Sequence, residues 1–261
     1  MNVVSWNVNS LRARQERFLE WVDANDPDML CLQETKVRDE EFPRGLFEER
    51  GYALEIFGQK TYNGVALASK RPLEDVWKGL PGDGPEDQKR LIAARIGDLR
   101  LINVYVPNGS EVGSEKFAYK LEWLRRLRDM LDERCDPADP IVICGDFNIA
   151  PEDRDVHDPE RWRGKVLFSE PEHQALRHLL DFGLHDLFRA FCDEGGHYTW
   201  WDYRLAAFRR GWGLRIDLFL GTAAALERCR GVRIDKDARK GEKPSDHAPV
   251  IAEFDEPRES P

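Results

Sequence analysis

The chain has no Cys-x-x-Cys pair and no His-Glu-x-x-His, although it carries five cysteines and six histidines. Those absences exclude the common zinc motifs and a dithiol redox site. Five is an odd number, and Cys31 and Cys144 sit inside apolar, strand-like runs, so they read as buried thiols of a reducing compartment. No apolar run approaches membrane-spanning length, and the first residues show no basic segment followed by an apolar one. The expectation is a soluble, cytoplasmic protein that does not engage a membrane. Positive charge is also scarce: 39 Lys and Arg against 49 Asp and Glu give a formal charge of −10. That charge argues against binding a polyanion by attraction of the whole molecule. It does not exclude a local basic face, because charges act over roughly a Debye length of about 8–10 Å. Low-complexity linkers are missing too, and 79–85 and 151–164 read as loops. One domain over residues 1–256 is expected, with 257–261 a frayed tail.

What is present is an alternation of short apolar runs and amphipathic stretches. Runs of strand length fall at about 2–6, 28–33, 52–57, 64–69, 91–96, 99–106, 140–145, 214–220, 229–234 and 248–254, bounded by Gly, Pro and Asp. Helical periodicity covers about 12–25, 115–134 and 171–182. In the second of these Phe117, Leu121, Leu124, Leu127 and Leu131 recur at three- and four-residue spacing, with Ser114 as N-cap. Many strands and few helices predict an α/β fold in which two sheets pack face to face with helices outside.

Several apolar runs end in polar residues. Ile141–Cys144 leads through Gly145 to Asp146 and Asn148, and Asp217 lies inside the apolar run that ends at Leu220. Asp246 and His247 stand just before another strand, Met29–Leu32 leads to Glu34, and Val3–Trp6 to Asn7. A single Asp after a strand is ordinarily a turn residue or a helix cap. Acids at buried strand ends are costly to desolvate unless a cation compensates them, and five polar ends, four of them acidic, point to one shared site for a hard metal ion. Oxygen donors of this kind suit Mg²⁺ or Mn²⁺. Beside such an ion Asp246-His247 reads as a carboxylate orienting an imidazole, so that metal and His247 polarise a phosphoryl oxygen while Asp146 helps deprotonate water.

With these residues in place, the chain resembles the exodeoxyribonuclease III and AP endonuclease family of the endonuclease/exonuclease/phosphatase (DNase I-like) superfamily. The resemblance runs from Asn2 to about Phe254. It rests on the stretches 5–14 (SWNVNSLRAR), 32–36 (LQETK), 62–66 (YNGVA), 103–109 (NVYVPNG), 145–148 (GDFN), 200–204 (WWDYR), 214–217 (LRID) and 244–249 (PSDHAP). It implies a four-layer α/β/β/α sandwich of two packed mixed sheets, with the site at one edge. It implies a monomeric, Mg²⁺-dependent phosphodiesterase (Mn²⁺ substituting) that acts on double-stranded DNA in base excision repair, at 3′ ends and at abasic sites. Glu34 would be the main metal ligand, helped by Asn7 and Asp246, with Asp146, Asn148 and His247 in the same set. Asp146 would activate water or protonate the leaving oxygen, and Asn148 would position that water. Tyr105, its phenol pKa lowered by a nearby cation, would donate to the phosphate or leaving group. His247, oriented by Asp217 or by the metal-site carboxylates, would bond the scissile phosphate, and Asn108 would touch a phosphate.

The segment 200–215 interleaves Trp200, Trp201, Tyr203, Phe208 and Trp212 with Arg204, Arg209, Arg210 and Arg215. Arginines neutralise phosphates and aromatic rings stack on bases, so this reads as a DNA-contacting track, against the plainer reading of a packed aromatic cluster with solvated arginines. Trp200 is expected to line the pocket for an abasic sugar. Lys36, Lys89, Arg90, Lys116, Arg239, Lys240 and Lys243 extend the rim. His157 falls where some relatives of the family carry a residue as small as Gly. Its imidazole would narrow that pocket and favour 3′-end processing over abasic incision, unless it is an ordinary surface-loop histidine. Two competing readings are a superfamily phosphoesterase for RNA or a lipid head group, and a DNA-end-binding module without catalysis.

Overall fold

Alternation decides which way each strand faces. In the computed structural model, which describes residues 1–258, twelve strands form two six-stranded sheets. The first contains β1 (Asn2–Asn7), β2 (Met29–Gln33), β3 (Ala53–Phe57), β4 (Val65–Ser69), β11 (Cys229–Ile234) and β12 (Val250–Phe254), in the order β11-β12-β1-β2-β4-β3. The second contains β5 (Glu74–Lys78), β6 (Leu91–Ile96), β7 (Leu99–Tyr105), β8 (Ile141–Asp146), β9 (Leu184–Asp186) and β10 (Asp217–Thr222), in the order β5-β6-β7-β8-β10-β9. Each sheet has one parallel pair, β1 with β2 and β7 with β8, and antiparallel pairing elsewhere. A parallel pair needs a crossover, and helices supply it: Gln15–Asn25 between β1 and β2, Glu115–Arg134 between β7 and β8.

Along β1, Val3 packs between the sheets while Val4 and Trp6 pack under the outer helix; β2 repeats this with Met29 and Cys31 inward, Leu30 and Leu32 outward. In β7, β8 and β10 the inward residues are Leu99, Leu101, Val142, Cys144 and Phe219, whereas Ile102, Val104, Ile141, Ile143, Leu218 and Leu220 meet the helices Glu115–Arg134 and Glu170–Leu180. A period of two then assigns Asn7, Gln33, Asn103, Tyr105, Asp146 and Asp217 to the space between the sheets. All but Asn103 and Asp217 stand at strand C-termini of the two parallel pairs, and Asp217 opposes Asp146 in register. Gln33 donates to Asn103 across the two sheets at 2.7 Å, and Asn103 donates to the carbonyls of Leu32 and Ala66 at 2.9 and 3.1 Å. These amides close the floor of that edge.

The four layers agree with expectation, and most of the strand and helix ranges fall within a few residues of those read from sequence. Two strands, β5 and β9, lie where none was expected, both at sheet edges. Arg12–Arg14 is a separate 3₁₀ turn before the first helix, and the strand expected from 214 begins at Asp217. On the helix Glu115–Arg134 the buried stripe runs through Lys120 instead of Leu121. Gly145 is required: its φ is 145° and a Cβ there would stand 1.9 Å from the Val104 carbonyl oxygen. Of the tail expected to fray, Pro257 is buried and the Arg258 backbone N–H donates to the Asp98 carboxylate while its carbonyl accepts from the Asp98 N–H; 259–261 lie outside the described residues. None of the described helices is long and apolar enough to cross a membrane.

Candidate active site

The ends of β1, β2, β7, β8 and β10, with the turn before β12, converge on one group of polar side chains. Asn7 Nδ2 donates to Glu34 Oε1 and to Asp146 Oδ2, each at 2.8 Å, so one amide ties a carboxylate from each sheet. His247 Nδ1 lies 2.9 Å from Asp217 Oδ2, and its Nε2 faces Asp146 Oδ2 at 3.7 Å. Of the two orienting partners expected for His247, Asp217 is the one that fills the role. Glu34, Asp146 and His247 each offer one ligand atom within 4.8 Å of the others.

Asp246 stands beside this group, with Oδ1 accepting from Asn9 at 2.8 Å and Oδ2 from the Trp200 indole at 3.1 Å. Glu34 and Asp246 are linked through Lys36, whose ammonium meets Glu34 Oε2 at 2.7 Å and Asn9 Oδ1 at 2.6 Å. Lys36, expected on the DNA-contacting rim, therefore turns its charge into the site. The Asn148 side chain is braced from two sides: Nδ2 donates to the Val106 carbonyl at 3.0 Å, and Oδ1 accepts from Asn108 Nδ2 at 3.0 Å. Its backbone N–H donates to Asp146 Oδ1 at 2.9 Å.

Charge is unbalanced here. Among the described residues Lys36 pairs with Glu34, and His247 with Asp217 and Asp146, while Asp246 is bonded to the neutral Asn9 and Trp200. Burial would lower the His247 pKa, but Asp217, Asp146 and Asp246 outweigh it and push it up to about 10. Burial pushes Asp146 up to about 7, helped by Asp217 and Glu34 and opposed by His247. Glu34 resists burial because Lys36 and Asn7 hold its pKa below the ordinary carboxylate value. An oxygen-rich, net-negative pocket fits a hard divalent cation, and Glu34 and Asp146 offer it carboxylate oxygens.

Tyr105 ends β7 beside these acids. Burial, followed by Glu34 and Asp146, raises its pKa well above that of a free phenol, although the Arg90 guanidinium lies 4.5 Å over its ring. The phenol therefore keeps its proton near neutral pH. Arg90 is itself buried and donates to the Tyr105 carbonyl at 3.0 Å, so it braces the site from within instead of forming rim. Arg239 is likewise buried, bonded to the Ser245 and Trp201 carbonyls.

A cleft of about 630 Å³ adjoins the site and is lined by His157, Trp162, Lys165, Trp200, Arg204, Leu205 and Trp212. His157 stacks on Trp212 at 6.0 Å and 18°, meets Trp162 edge-on, and lies 3.2 Å from the Gly213 carbonyl. Burial lowers its pKa, so the ring is neutral near pH 7. It is thus a wall of the cleft that Trp200 also lines. Arg204, Arg209 and Arg210 are exposed, Arg204 paired with Asp202 and Arg210 lying 4.5 Å over Trp212. Arg215 and Trp201 do not belong to a surface track. Trp201 is fully buried against Phe208 and Tyr198, and Arg215 is buried between Asp155 and Asp186, at 2.6 and 2.7 Å.

Asn9 was not read as functional from sequence, although it sits two residues beyond Asn7. Asn9, Glu34, Lys36 and Asn148 all have positive φ, 43°, 50°, 53° and 51°. Each costs about 1–2 kcal/mol for a non-glycine residue, and strain of this kind concentrates where a side chain must be aimed.

The sequence matches the endonuclease/exonuclease/phosphatase family over residues 4–247. It is 39% identical to the exodeoxyribonuclease III of Haemophilus influenzae, across 97% of this chain and 100% of that one. Among solved structures it is similar to the 3′ phosphatase NExo from Neisseria bound to a product DNA hairpin, with a TM-score of 0.93, 44% identity, and 98% of this chain and 100% of that chain covered. An AP endonuclease from Archaeoglobus fulgidus gives a TM-score of 0.93 at 41% identity, again over 98% and 100% of the two chains.

Proposed function

As the chain belongs to the endonuclease/exonuclease/phosphatase family, we propose that it is a Mg²⁺-dependent DNA repair phosphodiesterase. Its substrate is duplex DNA, where it processes 3′ ends and cuts beside abasic sites in base excision repair. It acts as a single-domain monomer in the cytoplasm, with Mn²⁺ able to replace Mg²⁺. The observation that carries this reading is Asn7 bonded at 2.8 Å to both Glu34 and Asp146, next to the His247–Asp217 pair. It joins acids from both sheets at one edge of a fold that the solved structures named above are similar to.

Glu34, Asp146 and Asn7 would hold the metal, which when bound polarises the phosphoryl group and neutralises the excess acid. Asp146, with a pKa near 7, takes the proton of an attacking water as that oxygen bonds phosphorus. The opposite P–O bond breaks and its oxygen leaves with a proton from Tyr105. His247, held protonated by Asp217, donates from Nε2 to a non-bridging oxygen. Asn108 and Asn148, locked to each other, face the phosphate as fixed amides. Arg204, Arg209, Arg210 and Trp212 meet the DNA backbone, and Trp200 with His157 borders the displaced nucleotide.

The test is cleavage of a 3′-phosphate duplex and an abasic-site duplex, each with Mg²⁺ and with EDTA. Mg²⁺-dependent release from at least one duplex is expected. Turnover that persists in EDTA would contradict the reading, as would cleavage confined to RNA or lipid phosphoesters.

A further inference from the structure

One buried charge beneath the site takes no part in the chemistry above. On the helix Glu115–Arg134 the inward stripe passes through Phe117, Leu124, Leu127 and Leu131, and Lys120 occupies the stripe position between Phe117 and Leu124 with no solvent exposure. An ammonium removed from water is costly unless its charge and its three N–H groups are met. They are met here in a specific way. Lys120 Nζ donates to the backbone carbonyl of Asn148 at 2.7 Å, to that of Asn108 at 3.1 Å, and to the carboxylate of Glu172, also fully buried.

The two carbonyls belong to the residues whose side-chain amides are bonded to each other on the site's surface. Asn148 also carries the N–H that fixes Asp146, and its backbone is held in the left-handed region. Glu172 accepts from the backbone N–H of Leu167 at 2.9 Å and of Ser169 at 3.1 Å, and Leu167 in turn accepts from Ala150, two residues past Asn148. Apolar side chains of similar volume commonly replace a buried ion pair without loss of stability. An extra leucine on this stripe would therefore keep the core. It would leave the 108 and 148 loops untied.

We propose that Lys120 is a positioning residue: it clamps the main chain at Asn108 and Asn148 so that the two amides and Asp146 keep one geometry toward the phosphate. Glu172 holds Lys120 in place and extends the same constraint to the Leu167–Ser169 turn. The role rests on the phosphodiesterase reading, in which those amides face the scissile group.

The test compares kcat and KM on a 3′-phosphate duplex for four proteins: wild type, Lys120→Met with Glu172→Gln, Asn148→Ala, and the combination of all three. Removing both charges together avoids stranding Glu172. The paired variant is expected to lose about 10- to 100-fold in kcat, the range for supporting partners of a site, with KM nearly unchanged. In the Asn148→Ala background the same pair should cost less than about threefold, because coupled residues are non-additive. An unchanged kcat, or an equal loss in both backgrounds, overturns the proposal. Should the paired variant not fold, Lys120→Arg keeps the charge while its planar fork misplaces the donors. It should lower kcat with the unfolding midpoint retained, and unchanged kcat again overturns the clamp. Bis(p-nitrophenyl) phosphate is run in parallel. If the wild type hydrolyses that ester and no DNA, the substrate reading fails while the same comparison still judges Lys120. If it hydrolyses neither, both fall together.

Discussion

Asn7 Nδ2 and Asp146 Oδ2 are 2.8 Å apart although 139 residues separate them in the chain, and the same nitrogen is 2.8 Å from Glu34. An amide from one sheet thereby sets the distance between the two acids that the chemistry requires. The Asn7 carboxamide oxygen accepts from the Asn9 backbone N–H at 3.0 Å.

Glu34→Ala removes a strand-end carboxylate and leaves the apolar run behind it intact. Turnover in Mg²⁺ should fall by well over the 10- to 100-fold typical of supporting residues, with the unfolding midpoint almost unmoved. Steady-state kinetics beside thermal unfolding checks this, and undiminished turnover would exclude Glu34 as the main ligand.

Asp146→Asn keeps the shape of the side chain and its place beside Asn7 while removing the group that accepts a proton. DNA binding should persist and the rate should drop on the order of a hundredfold or more, as for a missing acid or base. Binding by anisotropy and single-turnover rates separate the two; lost binding would refute the assigned role.

His157 presses on Trp212 at the wall of the cleft that also includes Trp200. His157→Gly should widen the space for a displaced abasic sugar and raise abasic-site incision relative to 3′-end processing by several-fold. Both activities measured on one preparation decide it, and an unaltered ratio removes the idea.

Arg215 bridges Asp155 and Asp186 in the interior. Arg215→Met leaves buried Asp155 with Arg189 alone and takes the ion pair from the partly buried Asp186, and should cost about 1–3 kcal/mol in denaturant unfolding. The salt dependence of DNA binding should not change. A flatter salt slope with full stability would return Arg215 to the DNA-contacting face.

Much of this site was legible because its polar residues interrupt apolar strands. Asn7, Glu34, Asp146 and Asp217 each follow or split a run of period two, which marks both the strand and the anomaly in it. Other features leave no such mark. Arg215 has the same composition and neighbours as Arg209 and Arg210, and only the partners Asp155 and Asp186, distant in sequence, make it interior. Lys120 looked like one more cation on a charged helix, yet it falls three residues after Phe117 and four before Leu124, which is a buried position. Gln33 and Asn103 are inward by alternation, but their bond across the sheets depends on how the sheets stack. β5 and β9 are edge strands, one of them three residues long, where half the backbone goes unpaired and the apolar signal is weak.

Crystals soaked in Mn²⁺ and measured for anomalous scattering test the central claim most directly. One strong peak is expected between Glu34 and Asp146, within coordination distance of Asn7, together with its loss in Glu34→Ala. A peak bound elsewhere, or none at a concentration that supports cleavage, would contradict it.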